Sequence, residues 1–94
     1  MKNSFDVCVV GLGYIGLPNA ALCASKGLKV AGYDLSKDRV RAVNELSLEL
    51  TEPGLKELIT EQVKLKNLVA VNKPKKAKIF IICVPTPVNF KNNH

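Results

Sequence analysis

Apolar residues along this chain concentrate in four short runs, and between the runs they recur every three or four positions. The runs are Phe5–Val10, Leu28–Tyr33, Leu68–Val71 and Ile79–Val84. Runs of this length suit strands, and the three-to-four spacing suits helices. The first run is apolar at nearly every position except Asp6, the pattern of a central parallel strand covered on both faces. A helix is predicted over roughly Ile15–Lys26. There Gly16, Ala20, Cys23, Ala24 and Gly27 are small and helically spaced, so that face can lie tightly on a sheet. Pro18 falls in the first turn, where a missing N–H costs little, and Gly27 suits the C-cap. Ser36 is a plausible N-cap for a second helix reaching about Leu46, with Val40 and Val43 inward. Ser47–Thr51 reads as a connection. Glu52-Pro53-Gly54-Leu55 opens a third helix, with Pro53 at its first position and Leu55, Leu58, Ile59 and Val63 as a core stripe. Pro74–Ala77 reads as a turn or a single helical turn, and the fourth strand ends in Pro85-Thr86-Pro87.

Strands alternating with helices imply an α/β fold, a parallel sheet with right-handed crossovers. The predicted strand order is 3-2-1-4. Strands 1 and 4 then diverge at a topological switch point, and ligands bind outside their carboxyl ends.

The chemistry-bearing stretch leaves strand 1 at that point. Gly11-Leu12-Gly13-Tyr14-Ile15-Gly16 follows an apolar strand, opens a small-residue helix and precedes a second strand ending in Asp34, 18 residues after Gly16. This is the Rossmann dinucleotide fingerprint in the context it requires. Gly11 permits the tight turn, Gly13 lets backbone N–H groups approach a pyrophosphate, and Gly16 lets the helix lie close to the strand. The helix N-terminus directs unpaired N–H donors at that anion. Asp34 can accept both hydroxyls of an adenosine ribose and would repel a 2′-phosphate, which favours NAD over NADP. Arg39 could meet such a phosphate, but covering the adenine or pairing with Asp34 suits it better. Pro85-Thr86-Pro87 leaves strand 4 beside the glycine turn, so Thr86 is either a cofactor contact or part of a plain turn.

The chain has 94 residues, 47% hydrophobic and 23% charged, which allows one small globular domain. Its N-terminus lacks an apolar signal core, and Ile79–Val84 is too short to span a bilayer. A cytoplasmic location without membrane contact is expected. Cys8, Cys23 and Cys83 lie in apolar segments with no CxxC pair and a single His in the chain, so buried reduced thiols are expected and a metal site is not. The net charge of +6 comes largely from Lys64, Lys66, Lys73, Lys75, Lys76 and Lys78. Without interleaved aromatics this reads as a solvated face, and no nucleic-acid partner is expected.

Four landmarks stand in order: GLGYIGLP over residues 11–18, Asp34, EPGL over residues 52–55, and VPTP over residues 84–87. From about Phe5 onward the chain resembles the N-terminal NAD-binding region of the UDP-glucose/GDP-mannose dehydrogenase family, and most of all its members acting on UDP-N-acetylhexosamines. Residues Asn89–His94 resemble the loop those members carry after VPTP. The resemblance implies NAD-dependent oxidation of a sugar C6 alcohol to a carboxylate, with two NAD per turnover and a UDP-sugar substrate. It implies Tyr14 and Ile15 under the pyrophosphate, Asp34 on the adenosine ribose with Arg39 nearby, and Thr86, preceded by Val84 and Pro85, against the cofactor. The family's nucleophilic Cys, Lys and acidic helpers lie in downstream segments, and Cys8, Cys23 and Cys83 do not occupy the nucleophile's motif.

Residues 1–94 are accordingly expected to be the first half of a doubly wound NAD-binding domain, without substrate or C-terminal domains and inactive alone. Strand 4 would be an open apolar edge, so the chain is expected to be marginally stable or to self-associate through that surface. The alternatives are a related 3-hydroxyacyl-CoA or 6-phosphogluconate dehydrogenase, against which EPGL and VPTP argue, and a non-catalytic nucleotide-binding module.

Overall fold

A computed structural model describes residues 4–50 and 52–83. The elements are β1 (Phe5–Val10), α1 (Gly16–Ser25), β2 (Val30–Tyr33), α2 (Lys37–Asn44), α3 (Leu55–Lys64), β3 (Leu68–Val71) and β4 (Ala77–Ile82). All four strands are parallel, in the order β3-β2-β1-β4. The α/β class and the predicted order are both found.

Register explains which side chains meet. Val7 lies beside Val30 and Ile79, Val30 beside Leu68, and Val9 beside Gly32 and Ile81. Alternation puts these residues on one side of the sheet. That side carries the core: Val7, Val9, Val30, Leu68 and Ala70 pack with Leu17, Ala20, Ala21 and Ala24 of α1, Val43 of α2 and Ile59 of α3. Small residues let α1 lie close. Gly16, Ala20 and Ala24 are buried as expected, whereas Cys23 is only half-buried and Gly27 is exposed. Gly27 takes φ +92° just beyond the helix, where a left-handed residue ends it.

Several boundaries move, each for a visible reason. β2 begins at Val30 rather than Leu28, and just before it the Lys29 N–H donates to Asp6 Oδ2 at 2.8 Å instead of to a neighbouring strand. That bond also accounts for the single acid in β1. β4 begins at Ala77 rather than Ile79, since pairing with β1 extends down to Phe5 opposite Ala77. Ala77 therefore belongs to a strand and not to a turn, and β4 closes at Ile82. In α3, Pro53 is not the first helical residue. Gly54 occupies the N-cap at φ +84°, and the helix starts at Leu55. The N-cap of α2 is as expected, with the Arg39 N–H donating to Ser36 Oγ at 3.1 Å.

The two outer strands end differently. On β3, Asn44 imitates a neighbouring strand: its Nδ2 donates to the Ala70 carbonyl at 2.9 Å and its Oδ1 accepts from the Ala70 N–H at 3.0 Å. On β4, Ile79, Phe80 and Ile82 are 57%, 50% and 64% exposed.

Residues 72–76 join β3 to β4, from one edge of the sheet to the other. Register sets Val71 level with Tyr33 and Val10, and Ala77 level with Phe5. The crossing covers three strand spacings and a full strand length, roughly 20 Å in a twisted sheet. Six backbone steps reach at most about 21 Å, so this strap, which bends at Asn72 and Lys73 as it leaves β3, has little spare length. Cys8 and Ala31, which alternate onto the face away from the core residues, are fully buried.

Candidate functional site

The site begins where β1 ends. The Gly11 N–H donates to the Tyr33 carbonyl at 2.8 Å, and Gly11 then turns out of the sheet at φ +100°. No side chain caps α1, whose N-cap is Ile15, and its first turn carries no acid. Its positive end is therefore not neutralised by a cap or by an acid of its own first turn. A Cβ added to Gly13 would meet nothing within 4 Å, so bare backbone faces open space there. A Cβ on Gly16 would lie 1.6 Å from the Gly11 carbonyl oxygen. Gly16 thus does not line the opening. It lets the helix start beneath the turn.

Asp34 reaches this turn directly. Its Oδ2 accepts from the Leu12 N–H at 2.9 Å and its Oδ1 from the Ser36 N–H at 2.9 Å. Each carboxylate oxygen keeps a second lone-pair direction. The acid both fastens the glycine turn to the tip of β2 and leaves acceptors for a diol. Arg39 sits on the same rim, where its Nη1 donates to the Leu12 carbonyl at 3.4 Å. The expected pairing of Arg39 with Asp34 is not formed; among the described residues the ion pairs are Arg41–Asp38 at 3.6 Å and Lys78–Asp6 at 3.9 Å. The Arg39 guanidinium is directed at the Leu12 carbonyl instead.

These groups surround an open cleft of about 810 Å³ at the carboxyl ends of β1, β2 and β4. Gly11, Gly13, Tyr14, Ile15, Asp34 and Arg39 all line it. Val84, Pro85 and Thr86 lie outside the described residues. The chain does approach the cleft just before them, since the Cys83 N–H donates to the Val10 carbonyl at 2.7 Å and Ile82 and Cys83 form one wall. Cys83 is therefore half-buried at the cleft, against the expectation of a buried core thiol, whereas Cys8 is buried.

Sequence reasoning passed over two residues. Leu12 supplies the N–H that Asp34 accepts, and its buried side chain fills the space over Gly32, where an added Cβ would come within 2.7 Å of it. Only its place between the two glycines signalled this. Leu35 is 82% exposed at the cleft directly after Asp34. A large apolar residue following the strand-end acid, where the chain should turn polar, was the available clue. Tyr14 is 97% exposed on the opposite rim.

An open glycine turn, an uncapped helix start and a strand-end carboxylate at one switch-point cleft define a dinucleotide-binding unit of the Rossmann type. The donor set fits a dinucleotide: bare backbone and helix dipole for the diphosphate, an acid for the ribose diol.

The chain belongs to the UDP-glucose/GDP-mannose dehydrogenase family, whose NAD-binding domain is matched over residues 5–94; the cofactor of that domain is NAD. It is 45% identical over 92 residues to a UDP-N-acetyl-D-mannosamine dehydrogenase of Methanococcus aeolicus, covering 98% of this chain and 21% of the relative. A Campylobacter jejuni protein of the same description is 45% identical over 92 residues, covering 97% of this chain and 23% of the relative. Among solved structures, UDP-N-acetyl-mannosamine dehydrogenase from Staphylococcus aureus superposes with a TM-score of 0.84 at 37% identity, over 89% of this chain and 20% of that one. A ternary complex of GDP-mannose dehydrogenase from Pseudomonas aeruginosa gives a TM-score of 0.80 at 28% identity, over 86% and 20%. The chain spans about a fifth of the length of the relatives it matches.

Proposed function

We propose that this chain is the cofactor-holding part of a nucleotide-sugar 6-dehydrogenase, one that oxidises the C6 alcohol of a UDP-N-acetylhexosamine such as UDP-N-acetylmannosamine to the uronate with two NAD. The observation that carries the reading is Asp34, whose carboxylate is bonded to the glycine turn itself. One residue thereby sets the distance between the diphosphate and ribose positions. The identities near 45% to UDP-N-acetyl-D-mannosamine dehydrogenases support the choice of sugar class.

The residues divide the work. The backbone around Gly13 and the start of α1 receive the diphosphate, with Tyr14 and Ile15 beneath it. Asp34 takes the ribose hydroxyls, while Leu35 and Arg39 border the adenine. Thr86, with Val84 and Pro85 before it, is assigned as a further cofactor contact. Bound NAD supplies the hydride acceptor. The sugar-binding and nucleophilic groups come from outside these 94 residues, which alone bind cofactor without turning over a UDP-sugar. Residues 1–94 are on this reading the first half of a doubly wound domain. A cytoplasmic location suits a nucleotide-sugar substrate, and no helix among the described residues is long and apolar enough to cross a membrane.

Calorimetry with NAD, NADP, ADP-ribose and AMP tests the cofactor assignment. NAD and ADP-ribose are expected to bind at least about tenfold more tightly than NADP, the cost of setting a phosphate against a carboxylate. Equal affinity for NADP would overturn the assignment. A Kd for NAD in the low micromolar range or below would favour a self-sufficient binding module over part of an enzyme.

We further infer that copies of this chain associate through β4, because three large apolar side chains stand exposed on a strand whose outer edge is unpaired among the described residues. Light scattering should return a mass above 10.2 kDa. A Phe80→Lys variant should return it to that of one chain. A wild-type chain that is monodisperse at one-chain mass would refute the association.

A further inference from the structure

A second cleft, of about 420 Å³, lies between α2 and the start of the β3–β4 strap. It shares no lining residue with the dinucleotide cleft. Four cations border it: Lys37 and Arg41 from α2, Lys73 and Lys75 from the strap. Val40, Ala70 and Val71 supply its apolar floor. We propose that this cleft is a binding site for an oligophosphate, free or carried on a nucleoside, separate from the NAD position and independent of the NAD assignment.

Three observations converge. The cations come from two elements distant in sequence, and the fold brings them to one concavity instead of spreading them over a convex face. Lys37 and Arg41 are four residues apart on one helix, a like-charge spacing that is unfavourable unless an anion offsets it. The carboxylate that does so in this structure is Asp38, which reaches only Arg41, at 3.6 Å and with its side chain 93% exposed. Lys37, Lys73 and Lys75 make no ion pair among the described residues. Arginine and lysine together match an oligophosphate, the first by a planar fork and the second by a mobile point charge. The apolar floor would lie under a nucleoside carried on the phosphates.

Backbone amide shifts in NMR, recorded during titration of the full 94-residue chain with inorganic tripolyphosphate and then with ATP, test this residue by residue. Shifts are expected at residues 37–41 and 70–75, with a Kd of about 1 mM or tighter at low salt that weakens as salt screens the charges. Tighter binding of ATP at those residues would identify the nucleoside-borne form, and equal binding the free form. The double variant Lys73→Glu/Lys75→Glu should weaken binding there by roughly tenfold or more. A charge-matched control, Lys26→Glu/Lys64→Glu, should leave it within about twofold. Shifts confined to residues 11–16, or equal losses in both double variants, would overturn the proposal. The exposed lysines place no load on the core, so folding is not at issue.

Discussion

Gly16→Ala is expected to remove most of the chain's folding stability. The new methyl would sit 1.6 Å from the Gly11 carbonyl oxygen and 2.7 Å from its carbon. Both atoms are backbone, so no side chain can rotate away. Either α1 must lift from β1 or the turn must open, and both break the contact that buries Ala20 and Ala24. Overpacking against movable side chains costs about 1–3 kcal/mol, and against fixed backbone the cost should exceed about 3 kcal/mol. A domain of this size holds roughly 5–10 kcal/mol in all. Urea denaturation should therefore show a much lower midpoint or no cooperative transition. Gly13→Ala is the companion measurement. Its methyl meets nothing within 4 Å, so the midpoint should stay near wild type while NAD binding weakens. A Gly16→Ala chain as stable as Gly13→Ala would mean that α1 does not seat as described.

Asp34→Asn is expected to weaken NAD binding by roughly 100-fold, about 3 kcal/mol, while the chain remains folded. The wild-type carboxylate accepts from Leu12 and Ser36 at once. An amide can accept through only one of its two terminal atoms, so one of those N–H groups would face a second donor. The ribose diol would also lose an ionised acceptor, and charge-assisted hydrogen bonds are worth about 1.5–3 kcal/mol each. Discrimination against NADP should shrink toward parity, because the repulsion of a 2′-phosphate goes with the charge. Calorimetry with both cofactors measures the two effects together. Unchanged NAD affinity in Asp34→Asn would remove the acid from the binding machinery.

Much of this arrangement was legible in the residues alone, because close backbone approach forces glycine and leaves it visible at fixed offsets. Gly11 makes the turn and Gly16 admits the helix as their spacing implied, Gly13 stands in open space, and Asp34 is bonded to the turn. What stayed hidden depends on partners remote in sequence. Nothing near Asp34 announces that it accepts from Leu12 and Ser36, or that Arg39 turns to the Leu12 carbonyl instead of to the acid. Asn44 looks like an ordinary helix terminus until Ala70 is seen on the neighbouring strand. The start of β4 could not be placed from Lys75-Lys76-Ala77-Lys78, whose polar character suits a turn. It is Phe5 across the ladder that draws Ala77 into the sheet. The cation cleft was also out of reach, since Lys37 and Lys73 are 36 positions apart and a run of lysines reads locally as a solvated surface.

The strap over residues 72–76 behaves as a ruler with little spare contour length. A chain shortened by one residue there could not span the sheet, and the deficit would have to come out of the β1–β4 ladder. Sliding β4 by a single place reverses the side on which every one of its side chains emerges. Phe80 and Ile82 would then turn toward α1, and Ile81, which now packs against the core, would turn away. An added residue would merely bow outward. Length variation at this connection is therefore one-directional: the fold accommodates growth there and forbids loss.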